Sequence, residues 1–245
     1  GGESLRASAT YSASLGGRSN TASGTHSAAL AGDTCTASGQ YAVTLGGQSN
    51  TASGNHSACL GGSSLTVSGT YAVGSGLGCV ANGVSSYAQG AYASARQVQG
   101  SFAFSAGRFG TTGDAQTMSL QLRQQTSNAT TVRLTSNAAA AAAANQMVLP
   151  SSAAFGYRGQ VVAIDTAGNT SAWRIDGLAK SNSGGAVSLV GTPSVSLIAQ
   201  DASAASWAVA FAVDSTNRCL AVDVTGAAST TIRWLCNLET VQLVL

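Results

Sequence analysis

Between Ala7 and Tyr71 one short phrase returns every 15 residues. Its copies are Ala7-Ser8-Ala9-Thr10-Tyr11, Ala22-Ser23-Gly24-Thr25-His26, Ala37-Ser38-Gly39-Gln40-Tyr41, Ala52-Ser53-Gly54-Asn55-His56 and Val67-Ser68-Gly69-Thr70-Tyr71. The first four lead to Leu15, Leu30, Leu45 and Leu60, then to a small pair: Gly16-Gly17, Ala31-Gly32, Gly46-Gly47 or Gly61-Gly62. Ser/Thr-rich sequence carries each on to Thr21, Thr36, Thr51 or Thr66. A period this regular describes a stack of identical units, each too small to fold alone.

Within a copy the alternation is that of a strand: Tyr41, Val43 and Leu45 share one face, Ala42 and Thr44 the other. The Gly pair suits a tight turn, and the second half of each copy supplies another short strand. One copy is therefore one coil of a β-solenoid. The expected inward set is one Leu, one Ala or Val, and the aromatic or His. At about 1.5–3 kcal/mol per buried large side chain, that barely offsets the ordering entropy of the coil. Two further copies around a three-fold axis would cover the remaining apolar stripe, so a homotrimer is expected. Looser copies continue through Ala81-Asn82-Gly83, Ala88-Gln89-Gly90 and Val98-Gln99-Gly100, which sets a shaft domain over residues 1–110.

Charge is scarce, at 8% of 245 residues with a net charge of +2. No basic cluster suits nucleic acid, and no apolar run reaches the ~20 residues of a membrane span, so no membrane insertion is expected. Gly1-Gly2-Glu3-Ser4 does not read as a signal peptide, and a fragment or processing boundary is expected there. Cys35, Cys59, Cys79, Cys219 and Cys236 are odd in number and lack a C-x-x-C spacing. They read as buried small apolar residues, consistent with assembly in a reducing cytoplasm.

From Thr111 the repeat stops. Residues 111–150 read as a connector containing a β-hairpin, with Thr117–Leu122 and Thr131–Leu134 around a turn at Ser127-Asn128. The alanine run Ala138–Ala144 suits a short helix or a loop. Residues 151–245 read as a tip domain of eight short strands: Tyr157–Ile164, Ser171–Leu178, Ala186–Val190, Ser194–Gln200, Ser206–Val213, Arg218–Val224, Thr230–Asn237 and Glu239–Leu245. That spacing predicts a β-sandwich or jelly roll. The expected fold class is all-β: a trimeric β-solenoid (β-roll) shaft followed by a β-sandwich tip.

The pattern A-S-G-x-[Y/H]-[S/A]-[A/V]-x-L-G-G resembles the head repeats of trimeric autotransporter adhesins, which form trimeric left-handed β-rolls and have counterparts in bacteriophage tail fibres. This chain differs in using Leu in the strand and 15 residues per copy. The second half resembles C-terminal domains of phage tail-fibre and tail-tip proteins, through Asn145–Pro150, Gly159–Ala163, Ala172–Gly177, Val224-Thr225-Gly226 and Thr231–Trp234. The resemblance implies a tail-fibre component of the virion, assembled in the host cytoplasm and joined to other virion tail proteins. Its expected partner is a host-surface glycan or protein receptor. Alternatives are a fragment of a bacterial adhesin, a tailspike depolymerase tip or self-processing domain, and an ice-binding solenoid.

No chemistry stands out in the side chains. His26 and His56 occupy the position of Tyr11, Tyr41 and Tyr71, so they read as members of a ladder. Glu3, Asp33 and Asp114 are isolated, while Asp165, Asp176, Asp201, Asp214, Asp223 and Glu239 fall mainly at strand ends and turns, where Asp shapes the backbone. No enzyme activity, catalytic residue, metal or cofactor is expected. Strand parity places Trp173, Trp207 and Trp234 in the core. Arg174, Asp223 and Arg233 on the opposite faces, with Asn169, Asn182 and Asn217 in turns, could meet a glycan, but the sequence singles out no ligand-binding residue.

Overall fold

A computed structural model describes residues 2–245. The chain is all-β, with 3-10 turns only at Ala143–Asn145 and Ala202–Ala204 among the described residues. It divides into two compact units, one ending at Gln116 and the other spanning Thr117–Leu245.

The first unit is a β-solenoid of about 7 turns. One ladder stacks β1 (Arg6–Ala7), β3 (Thr21–Ala22), β5 (Thr36–Ala37), β7 (Thr51–Ala52), β9 (Thr66–Val67) and β11 (Val80–Ala81). The other stacks β2 (Ala13–Ser14), β4 (Ala28–Ala29), β6 (Val43–Thr44), β8 (Ala58–Ser63), β10 (Val73–Leu77), β12 (Tyr87–Ala91) and β13 (Phe102–Ser105). Both are parallel, and equivalent residues of successive copies are direct partners, such as Thr36↔Thr51 and Val43↔Ala58.

Strand amides donate to the coil ahead, as Thr21 N–H does to the Cys35 carbonyl at 2.9 Å. Two corners per coil reverse that direction: His26 N–H donates back to Thr10 at 3.0 Å and Thr34 N–H to Arg18 at 2.8 Å. These corners are left-handed, with φ 59° at His26 and 61° at Thr34, which costs a side-chain-bearing residue about 1–2 kcal/mol. Each coil is thereby bonded to both neighbours. Where backbones come closest, only glycine fits. Gly39 has no positive φ, yet a methyl there would overlap the Gly54 carbonyl; Gly47 combines φ 91° with the same obstruction from Gly62.

The coil interior is narrow. Ala22, Ala37, Ala52 and Val67 from one ladder meet Ala29, Thr44 and Cys59 from the other, all at 0% exposure. A Cβ at Gly74 would lie 2.6 Å from Val67 Cγ2, so the largest of these side chains faces a residue with none. The expected inward set is corrected accordingly. Val43 and Leu45 do share a face, but it is the outer one: Thr44 is buried, whereas Leu45 and Tyr41 are 44% and 45% exposed. Where the two ladders face each other, a coil this thin has no room for leucine or an aromatic ring.

A buried column at residues 20, 35, 50 and 65 clamps the coils together. The Asn50 amide donates to the Gly46 and Gly62 carbonyls at 2.7 and 3.1 Å, and its Oδ1 accepts the Leu65 N–H at 3.0 Å. Asn20 repeats this with Gly16, Gly32 and the Cys35 N–H. The unit continues past Gly110 to a polar closure, where Asp114 accepts the N–H groups of Phe109, Gly110 and Thr111.

The second unit holds β14 (Ala115–Thr126, from Thr117 on), β15 (Thr131–Arg133), β16 (Met147–Val148), β17 (Ala153–Asp165), β18 (Thr170–Ser181), β19 (Val187–Gln200), β20 (Ala208–Asp214), β21 (Cys219–Thr225) and β22 (Ile232–Val244). A larger sheet has the order β19-β18-β17-β22-β14, and a smaller one arranges β15, β16 and β20 around β21. Aromatic rings fill the space between them: Tyr157 stacks on Phe211 at 3.9 Å, and Trp234 lies 5.7 Å from Trp173 and 5.9 Å from Trp207. The three Trp are at most 5% exposed, on the core face that parity gave them.

Three sequence expectations change. The hairpin does not form: β14 joins the larger sheet beside β22 and β15 joins β21, while an isolated bridge, Arg123↔Thr135, links β14 to the residues just after β15. Alternation reports one buried face, not which strand lies alongside. The expected strands at 186–190 and 194–200 are one strand, β19, running through Gly191-Thr192-Pro193 at the sheet edge, where a proline is tolerated. Likewise β22 runs unbroken through Leu238, which is fully buried. The alanine run is loop through Ala142 and ends in the 3-10 turn Ala143–Asn145. The Asn145 amide donates to Ala140 O at 2.9 Å and Thr135 Oγ1 to Ala139 O at 3.0 Å, occupying carbonyls that a helix would use.

Candidate functional site

The histidines sit in a continuous stack, Tyr11-His26-Tyr41-His56-Tyr71, with ring centroids 4.7–4.9 Å apart. Each inner ring has both faces occupied by neighbours, so His26, Tyr41 and His56 offer edges and no open face for a sugar ring. Among the described residues no group of three or more His, Cys, Asp or Glu could hold a metal ion. All five thiols are free and buried. Burial pushes Cys59, Cys219 and Cys236 up to about 12, far from the thiolate needed for reactivity. No helix is long and apolar enough to cross a membrane.

Most acids and turn amides named from the sequence shape the backbone. Asp165 accepts from the Asn169 side chain at 2.9 Å and from the Asn169 and Ala167 amides, and these bonds hold its carboxyl below the usual range. Asn182 Oδ1 accepts the Ala186 N–H. Asp223 pairs with Arg133 at 2.8 Å, and Arg133 also reaches Asp214 at 3.1 Å. Burial alone would raise Asp214, but side-chain bonds from Asn217 and Gln146, the Asn217 N–H and the Arg133 charge outweigh it and bring the group down to about 2. Arg133, Asp214 and Asp223 thereby tie β15, β20 and β21 of the smaller sheet together.

The outer face of the larger sheet is different. Its strands are long, so a row of side chains crosses it at one level: Asn237 and Glu239 on β22, Arg158 and Gln160 on β17, Arg174 and Asp176 on β18. Arg158 Nε and Nη2 hold Glu239 at 2.9 and 2.8 Å. Arg174 Nε holds Asp176 at 2.8 Å. Ser119 Oγ donates to Asn237 Oδ1 at 3.1 Å, and the Asn237 amide reaches Glu239 at 3.4 Å, which orients the group. Apolar bands flank the row, with Val162, Ile164 and Leu235 on one side and Val241 and Leu243 on the other, all at least 44% exposed.

Within this row lies a shallow hollow of about 350 Å³ bordered by Arg158, Gln160, Arg174, Ile198, Asn237 and Glu239. Ile198 reaches it through a β-bulge. Trp173 pairs with Leu197 and Ala172 with Ala199, leaving Ile198 unpaired and 55% exposed. Of the residues named from the sequence, the hollow contains Arg174 and Glu239. Arg233 borders a smaller hollow of about 260 Å³ beside Asp165. Arg158, Gln160 and Asn237 were legible as outward positions by parity with buried Tyr157, Val161 and Leu238; Ile198 was not, because a bulge breaks parity.

No family model and no curated protein matches the chain. Among solved structures it is similar to the tailspike protein of the Acinetobacter phage vB_ApiP_P1, at 11% identity and a TM-score of 0.28. The match covers 98% of this chain and 55% of that one, so the chain spans about half the tailspike's length. A likeness at this TM-score carries no argument about function.

Proposed function

We propose that the chain is a structural and receptor-binding component of a phage tail fibre. The solenoid is its shaft, the two-sheet unit its β-sandwich tip, and three copies form the working assembly. One observation carries the reading: the outer face of the longer ladder is an apolar stripe. Leu15, Leu45, Leu60, Phe102 and Phe104 stand on it with 41–68% of their surface exposed, beside a fully packed interior. Covering the exposed half of each is worth about 1 kcal/mol, roughly 5 per chain, of the order of the lower estimates for the cost of association. Two identical neighbours around a three-fold axis cover the stripe on every copy.

In this reading other virion tail proteins hold the shaft, and three tips present identical sites to a repetitive host surface, where avidity multiplies a weak contact. No catalytic role is proposed, since Asp176 and Glu239 each close on a guanidinium. Mass photometry is expected to show three times the 24.1 kDa chain mass, and the pair Leu45→Asp and Leu60→Asp to dissociate it. A folded wild-type monomer overturns the assembly. Attachment is tested by asking whether the purified protein binds host cells and blocks phage adsorption. Release of reducing ends from host polysaccharide would favour a depolymerase instead.

A further inference from the structure

We infer that the hollow on the outer face of the larger sheet is a subsite for a neutral saccharide; the inference rests on the receptor-binding reading and specifies its ligand. Charge comes first. The cations at the hollow, Arg158 and Arg174, are matched by Glu239 and Asp176 at 2.8–2.9 Å. An acidic sugar would meet guanidiniums whose charge is already matched, and would bring its own negative charge beside Glu239 or Asp176. A neutral sugar brings none: the pairs leave guanidinium N–H donors and carboxylate lone pairs for hydroxyls.

The geometry agrees. Gln160 is the direct cross-strand partner of both Arg174 and Asn237, so two amides and a guanidinium lie side by side on three adjacent strands. A pyranose presents hydroxyls around its rim and C–H groups on its faces. Ile198, raised by the bulge beside Arg174, supplies the apolar contact that buried Trp173, Trp207 and Trp234 cannot give. The volume of about 350 Å³ lies within the roughly 300–1,000 Å³ of small-ligand sites. The bonds from Ser119 to Asn237 and from Asn237 to Glu239 fix the donors before a ligand arrives.

The test uses the full chain on an array of immobilised oligosaccharides, with neutral hexose and N-acetylhexosamine members beside uronic- and sialic-acid members. Binding is expected on neutral members, changing less than twofold between 50 and 500 mM NaCl. Ile198→Asp and Gln160→Ala should each lower it at least tenfold; both side chains are on the outer face, so melting temperatures should match the wild type. Binding confined to acidic members, or neutral binding indifferent to both substitutions, overturns the inference. The same proteins, fluorescently labelled, are applied to a panel of bacterial cells. If wild type and Ile198→Asp label cells equally, or labelling resists periodate and is lost to protease, attachment stands and this site falls. If the wild type labels no cell and no array member, the attachment reading falls, and the site with it.

Discussion

Replacing Asn50 by leucine isolates what the polar clamp does for the shaft. Leu65 occupies the same column one coil on and is 1% exposed, so a leucine fits there and a steric explanation is removed. The substitution deletes the bonds to Gly46, Gly62 and Leu65. Gly62 O keeps the Gln48 N–H at 3.0 Å, whereas the buried Leu65 N–H loses its acceptor. Two bonds at about 1 kcal/mol each, plus about 1–3 kcal/mol for the donor orphaned by loss of the third, less about 2 kcal/mol regained from burying the new side chain, leave a loss near 2 kcal/mol. That corresponds to roughly thirtyfold faster local exchange. Hydrogen exchange of the 58–66 segment and the urea midpoint read it directly. Leu65→Met, a volume-conserving change in the same column, should cost under about 1.5 kcal/mol. If Asn50→Leu costs no more than Leu65→Met, the clamp is not what holds adjacent coils.

Gly39→Ala should cost more than about 2 kcal/mol, because the methyl meets the Gly54 carbonyl backbone; limited proteolysis should cut the shaft there first. Thr126→Val removes the acceptor of the buried Trp234 indole N–H, 3.0 Å away, and should lower the stability of the second unit by about 1–3 kcal/mol, read by tryptophan fluorescence in urea. Asp214 titrates lower folded than unfolded, at about 2 against roughly 3.9. Its contribution is therefore complete above the unfolded value and is lost as pH falls from about 4 towards 2. Asp214→Asn should flatten that part of the stability profile, and an unchanged acid limb refutes the assignment.

The period of the solenoid and the core side of the second unit were open to reading in the sequence, whereas the inner side of the solenoid was not. The difference is charge. On β17, Arg158 and Gln160 mark the solvent face, so Tyr157 and Val161 must point inward. On β6, Val43 and Thr44 carry no such mark, and hydrophobicity assigns the larger residue to an interior that has no space for it. Coil thickness decides the matter, as Val67 shows by leaving no room for a Cβ at Gly74 across the coil. The hollow was half legible for a related reason. Parity puts Arg174 outward, but which side chains stand beside it depends on the register of β17, β18 and β22 and on the bulge at Ile198, none of which a single strand encodes.

The shaft also repeats on a longer scale than its 15-residue phrase. Tyr and His alternate through the ring stack, Asn alternates with Cys or Leu in the clamp column, and Arg18 stands between Glu3 and Asp33 on successive coils. In each column identical neighbours would be worse. Two histidines stacked 4.7 Å apart would repel when protonated, and Arg beside Arg would forfeit the pair that Arg18 makes with Asp33. The Asn column follows a different logic. One amide bonds its own coil and the next, so the intervening position can spend its volume on packing; Cys35 fills it, with its thiol 3.5 Å from the Gly47 carbonyl. The structural unit of the shaft is therefore a pair of coils.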